Sequence, residues 1–298
     1  MYLIGIDGGG STVRAAVTDE TLTILGQARG EGVNPNTVGR DHAARTIQQV
    51  LKDAAALARV HTDQIHAVGA GIAGALTAPF HEWLMQTLRD VLPLAQIYIT
   101  TDMEVALIGA HGERRGVLVA AGTGSAAFGV NDRGESLLVG GWGYLLGDEG
   151  SGAWIGLQAL KQVVQASDRA LPSMLAERVF DLLQVSEARE LVSIIYQPNV
   201  PAAPRLARFA PLVLELADSD EAAQQIVMEA AAHLADLVDI LKHRLKMDNP
   251  AVRFGGGLLS GVNPLTSALQ ARLGLDVFPT AVYPPEIGAA LYAMGKQT

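Results

Sequence analysis

Three stretches combine glycines with hydroxyl or carboxylate side chains over the length of a tight turn. They are Asp7-Gly8-Gly9-Gly10-Ser11-Thr12, Gly122-Thr123-Gly124-Ser125 and Gly255-Gly256-Gly257-Leu258-Leu259-Ser260. Glycine leaves backbone N–H groups unshielded, and several such groups beside hydroxyl donors make a concavity for phosphate oxygens. The first two stretches follow the apolar runs Tyr2-Leu3-Ile4-Gly5-Ile6 and Val117-Leu118-Val119-Ala120-Ala121, which read as buried strands. Residues of β type resume afterwards, Val13 to Val17 and Ala126 to Val130, so both loops are expected at hairpin tips. A Walker A loop would instead open into a helix and carry Gly-Lys-Ser/Thr, a tripeptide absent here. The chemistry implied is a nucleotide clamp of two opposed hairpins, with Gly9, Gly10, Ser11, Thr12, Thr123 and Gly124 on the phosphates.

Two carboxylates have telling positions. Asp7 closes the first strand directly before three glycines. There it is suited to hold magnesium through water, because this ion gives up its waters reluctantly. An isolated Asp-Gly would read as an ordinary hairpin turn. Asp102 follows the apolar run Ile97-Tyr98-Ile99-Thr100 and so stands at a carboxyl strand end, where open sheets keep their sites. The plain alternative is an N-cap for a helix from Met103 to Ala110.

The elements that must position these groups repeat. Both hairpins turn through polar residues (Thr18-Asp19-Glu20 and Asn131-Asp132-Arg133-Gly134) into a third strand-like run, Leu22 to Gln27 and Ser136 to Val139. So long a repeat means a duplicated domain, with a boundary near Arg114-Arg115-Gly116. In the first half, Ala43, Ile47, Val50, Leu51, Ala54 and Leu57 follow a 3.6-residue period, predicting a helix from about Arg40 to Val60. A strand (Ile65 to Ala70), a helix (Pro79 to Val91), a strand (Ile97 to Thr100) and another helix are expected next, giving a mixed α/β sheet. The second half is expected to be helical from Ser151 to Lys246, with Pro198, Pro201 and Pro204 punctuating a loop. A strand, Val252 to Phe254, leads into the third glycine loop. The expected domains are 1–115 and 116–284, with a closing helix in 285–298 packed back on the first.

Composition narrows the partners. At 298 residues the chain can build two cores. Its 49% hydrophobic and 18% charged residues, with mean hydropathy +0.23, describe a compact soluble protein. A net charge of −9 supplies no basic stripe for a nucleic acid. The absence of cysteine removes disulfides, iron–sulfur clusters, thiol catalysis and Cys-type zinc sites. Neither a signal peptide nor a membrane span is read, so the cytoplasm is the expected location. The seven histidines form no ligand cluster.

The stretch Gly141-Trp142-Gly143-Tyr144-Leu145-Leu146-Gly147-Asp148-Glu149-Gly150-Ser151-Gly152 resembles the signature of N-acetylglucosamine kinases. These belong to the BadF/BadG/BcrA/BcrD-type ATPase family, within the actin/hexokinase/Hsp70 superfold. The resemblance runs nearly end to end: Asp7 to Thr12, Asn34, Thr100-Thr101-Asp102, Ala121 to Ser125, Gly141 to Gly152 and Gly255 to Gly261 occur in the family's order. It implies an α/β fold of two actin-like (ribonuclease H-like) domains around a cleft. It also implies an ATP- and Mg2+-dependent transfer of phosphate to the 6-hydroxyl of N-acetyl-D-glucosamine. Glucosamine, N-acetylmannosamine, N-acetylmuramic acid and glucose stay open as acceptors, because selectivity at the 2-position resides in loop geometry.

Phosphorylating an alcohol needs a base and in-line positioning, and by resemblance Asp102 receives the proton of the hydroxyl. The resemblance further assigns Asn34, Ser125, Gly141, Trp142, Gly143 and Asp148 to the sugar, and Gly256, Gly257 and Ser260 to adenosine. Asn34 could equally be a plain Asn-Pro turn, and Trp142 a plug in a core. Similar kinases are often homodimers. One rival is a dinucleotide fold, since Gly69-Ala70-Gly71-Ile72-Ala73-Gly74 fits that fingerprint. Its strand-end acid, Asp102, lies beyond the usual interval of about 20 residues, and both hairpins and the Gly141 to Gly152 stretch stay unexplained. The family's dehydratase activators carry a cysteine-ligated cluster that this chain cannot build. A non-enzymatic actin-like module is the third alternative.

Overall fold

The computed structural model describes residues 1–74, 77–197 and 200–296. Pro198 and the last two positions of the expected closing helix lie outside the described residues. The chain divides into two compact units. The first comprises Met1–Leu118, Val130–Glu135 and Ala281–Thr298, and the second Val119–Gly129 and Ser136–Thr280.

The first unit opens with β1 (Tyr2–Gly8), β2 (Thr12–Thr18) and β3 (Ile24–Glu31), an antiparallel meander. The third strand starts two residues later than its apolar pattern suggests. Asp19 is the cause: its carboxylate accepts from the N–H groups of Thr21 and Thr23, an Asx turn that absorbs those residues. Helices α1 (Pro35–Val38) and α2 (Arg40–Ala58) follow, then β4 (Ile65–Ile72), α3 (Ala78–Arg89), β5 (Gln96–Thr100) and α4 (Asp102–His111). The sheet order is β3-β2-β1-β4-β5, with β4 parallel to both β1 and β5.

Both faces of β1 are covered, and strand alternation sorts its side chains. Ile4 and Ile6 join a core with Ile47, Leu51, Leu84 and Leu88 from α2 and α3. Leu3 and Ala67 pack instead on Ala290 and Ala293 of the final helix, residues Pro285–Gly295. Gly5 and Asp7 share the face of Leu3.

Strands β6 (Gly116–Ala121), β7 (Ser125–Val130) and β8 (Ser136–Gly140) repeat the meander; most of their residues belong to the second unit, with 116–118 and Val130 counted in the first. Helices α5 (Gly152–Asp168), α6 (Met174–Leu183), α7 (Leu191–Ile195), α8 (Ala202–Ala207), α9 (Ala210–Leu216) and α10 (Glu221–Leu245) come next. Strand β9 (Val252–Gly255) then joins β6, giving the order β8-β7-β6-β9, and α11 (Pro264–Arg272) follows. The core is carried by Ile155, Leu160, Leu234, Val238 and Leu241, all buried. The last element is α12 (Pro285–Gly295), in the first unit. No helix among the described residues is long and apolar enough to cross a membrane.

Candidate active site

Strands, not helices, resume after both glycine loops. In the first unit the tip closes with the Gly9 N–H donating to the Thr12 carbonyl at 3.0 Å. The Val33 N–H donates to the Gly9 carbonyl at 3.0 Å, which brings the Asn34 loop beside the tip. A methyl group built at Gly9 or Gly10 would meet nothing within 4 Å, so these glycines are not required by packing. What they keep clear is the space outside the tip. Ser11 and Thr12 are exposed there.

Asp7 lies in register with Arg14 on β2 and with Gly71 on β4, and Gly71 in turn with Thr100 on β5. The carboxyl ends of β1, β4 and β5 therefore stand level, and Asp102 enters α4 two residues beyond Thr100. Thr101 is the N-cap, its hydroxyl accepting from the Glu104 N–H at 3.2 Å. Asp102 is thus the first helical residue, which corrects the expectation of a capping Asp102. Burial raises its pKa, opposed by the N–H groups of Met103 and of Asp102 itself. Asp7 is pushed up to about 7, chiefly by burial, then by the charges of Asp102 and Glu286, with Arg14 pulling the other way. The Arg14 guanidinium is 3.9 Å from the Asp7 carboxylate.

Two participants escaped the sequence reading. Arg14 could have been found, since it mirrors Asp7 across a symmetric hairpin. Glu286 could not, because nothing local ties it to a strand 279 residues away. Glu286 is 1% exposed, one carboxylate oxygen accepts from the Gln27 amide, and the other has no hydrogen-bond partner among the described residues.

Two glycines of the dinucleotide-like stretch, Gly69 and Gly71, have a packing task. A methyl at Gly69 would overlap the Ala289 carbonyl of α12, and one at Gly71 would overlap Val105 of α4. They let both helices seat on β4, which leaves the dinucleotide reading without support.

In the second unit the Gly141–Gly152 stretch wraps the β6–β7 tip. The N–H groups of Gly152 and Ala153, at the start of α5, donate to the carbonyls of Gly122 (2.8 Å) and Thr123 (3.2 Å). The Ser125 hydroxyl donates to the Glu149 carbonyl at 2.8 Å, and the Gly141 N–H donates to the Ser125 carbonyl at 2.9 Å. Asp148 has a left-handed backbone (φ 61) and a buried side chain that packs on Gly124. Its carboxylate accepts from the Gly143 N–H at 3.3 Å. Burial raises its pKa, opposed by the Gly143 and Ser125 N–H groups.

Trp142 is 74% exposed, so it plugs no core, and Leu145 and Leu146 beside it are also exposed. Asn34 does form the Asn-Pro turn, its side-chain oxygen accepting from the Asn36 N–H at 3.0 Å. Gly256 (φ 80) is needed where its backbone meets Ala121, whereas Gly257 faces open space. The Ser260 hydroxyl donates to the Gly257 carbonyl at 3.0 Å.

These residues fit magnesium. The first unit crowds the negative charges of Asp7, Asp102 and Glu286 with only Arg14 set against Asp7, an imbalance a divalent cation relieves. Among the described residues no three acidic or histidine ligands gather into a closed cage.

Known proteins share this architecture. The family model of the BadF/BadG/BcrA/BcrD ATPases matches residues 4–293. An N-acetylmuramic acid/N-acetylglucosamine kinase of Clostridium acetobutylicum is 28% identical over 92% of this chain and 91% of its own length. An N-acetyl-D-glucosamine kinase of Dictyostelium discoideum is 29% identical over 99% of this chain and 98% of its own. A solved Chromobacterium violaceum structure, provisionally designated an N-acetylglucosamine kinase, superposes with a TM-score of 0.79 at 28% identity, covering 97% of this chain and 98% of that one.

Proposed function

We propose, from the premise that the chain belongs to the BadF/BadG/BcrA/BcrD ATPase family, that it is an ATP-dependent amino-sugar kinase acting on a 6-hydroxyl. N-acetyl-D-glucosamine is the first candidate acceptor; N-acetylmuramic acid and glucosamine are the alternatives. The observation that carries this reading is Asp102, fixed at the first position of α4, with a carboxyl raised by burial and set in the same unit as Asp7.

A carboxylate of raised pKa is a stronger base than an ordinary one. Asp102 takes the proton of the acceptor hydroxyl as that oxygen bonds to the γ-phosphorus. The bond from phosphorus to the bridging oxygen breaks, and ADP leaves with the electron pair. Backbone N–H groups of Gly9, Gly10 and Gly124, with the hydroxyls of Ser11, Thr12 and Thr123, hold phosphate oxygens. Gly257 and Ser260, on the turn shaped by Gly256, approach adenosine. Asn34 and Asp148 hydrogen-bond the sugar, and the exposed Trp142 ring, flanked by Gly141 and Gly143, offers its face to the pyranose C–H bonds. Ser125 anchors that stretch. Magnesium, held through water by Asp7, would offset phosphate charge. With ATP and free sugar as its substrates, the cytoplasm is the proposed location.

The test is ADP release measured with N-acetylglucosamine, N-acetylmuramic acid, glucosamine and glucose in turn. At least one amino sugar must raise release well above the sugar-free rate, with phosphate on O6 of the product. Release indifferent to every sugar rejects the kinase.

A further inference from the structure

Glu286 is the least expected ionisable side chain in the first unit. It is almost wholly buried, its Oε1 accepts from the Gln27 amide, and its Oε2 makes no hydrogen bond. Buried polar atoms nearly always find a partner, so an orphan carboxylate oxygen requires a reason.

Packing is one reason to weigh. Glu286 stands in the first turn of α12, and a helix start favours an acid. Yet that attraction is a fraction of what removing a carboxylate from water costs, and it works equally well for an exposed side chain. The backbone explains the position but not the side chain. Gly5 has no Cβ, and the Glu286 carbonyl occupies the space that one would fill. The register Gly5–Ala16–Gln27 across β1, β2 and β3 places Gln27 on the same sheet row. Glu286 is therefore held from behind by Gly5 and from the side by Gln27. Asp7 lies two residues further along β1 on the same face, and its carboxylate feels the Glu286 charge.

We propose that Glu286 is a positioning residue for the divalent cation, its free Oε2 accepting a hydrogen bond from the water shell that Asp7 also holds. A hydrated cation supplies the missing donor and offsets the charge gathered on this sheet face. Gln27 keeps Oε1 occupied, which prevents the carboxylate from turning away. This rests on the kinase reading, but the readout is metal binding without sugar, so failure of one is distinguishable from failure of the other.

The experiment measures Mn2+ by electron paramagnetic resonance in the presence of a non-hydrolysable ATP analogue. Wild type, Glu286→Gln and Gln27→Ala are compared, and the metal-free affinity for the analogue is measured in parallel. Glu286→Gln should weaken Mn2+ binding about tenfold or more, the usual effect of losing an outer-shell partner. Gln27→Ala should weaken it less, and metal-free analogue binding should not move. Gln27→Ala serves as the deciding variant should Glu286→Gln not fold. Wild-type Mn2+ affinity in the folded variants, an equal loss of metal-free analogue affinity, or no Mn2+ binding by the wild type overturns the proposal. Loss of Mn2+ affinity with no sugar-dependent ADP release would uphold the cation role and reject only the kinase.

Discussion

Single residues divide into those that touch reactants and those that set charge. Asp102→Asn keeps the shape of the α4 start but cannot accept a proton. It should bind ATP normally and lose about 10²–10⁴-fold in kcat; turnover near that of wild type, read by coupled ADP release, removes Asp102 from the role of base. Asp7 makes a statement about pH. Its folded pKa of about 7 exceeds the ordinary 3.8, so the folded state holds an extra proton across that window. Stability must then fall as pH rises from about 4 to 7, because the unfolded chain releases the proton first. In metal-free buffer, Asp7→Asn should match the parent near pH 4 and exceed it by up to about 4 kcal/mol at pH 8. Denaturant titrations showing the same pH profile for both proteins would contradict the burial account. Asp7 was visible in sequence because it closes a strand directly before three glycines, and Asp102 because it follows an apolar strand in a Thr-Thr-Asp context that resembles the family. Glu286 was invisible because its meaning depends on a contact that only the folded sheet creates.

Among elements, glycines act in two opposite ways that a sequence cannot separate. Gly10 is open and lies outside the left-handed region. Gly10→Ala should leave Tm unchanged or slightly raised, yet weaken ATP binding about tenfold or more, as expected when a methyl displaces a hydrogen-bonded phosphate oxygen. Gly69 looks similar on paper, but its missing Cβ is where α12 touches β4. Gly69→Ala should cost at least about 3 kcal/mol, measured as a lower Tm. Equal tolerance at both sites would erase the distinction between an open tip and a packed seat. The hairpins themselves were legible, since β-type residues on both sides of a glycine run leave no room for a helix. Their bracing was not. The α5 amides on Gly122 and Thr123, and the left-handed Asp148 against Gly124, join residues that sequence spacing does not relate.

For the whole molecule, duplication was legible: two meanders at matching places announce two sheets, and the structure contains them. A closing helix packed on the first part of the chain was already among the expectations; what no pattern announced was the Val130–Glu135 turn that falls in the same unit. Helix α12 covers Leu3 and Ala67 and meets the backbone at Gly5 and Gly69, so the sheet face needs it. A chain ending at Thr280 should therefore be insoluble or bind hydrophobic dye strongly while its second unit keeps helical circular dichroism. A monodisperse, dye-silent product would show that the first unit stands without α12. During synthesis the opening meander leaves the ribosome with one flank bare and stays so while the entire second unit is translated. The helix that completes that flank also carries Glu286. Nascent chains consequently require shelter until α12 emerges, and a stop ahead of it yields a polypeptide for proteolysis and not a slower enzyme.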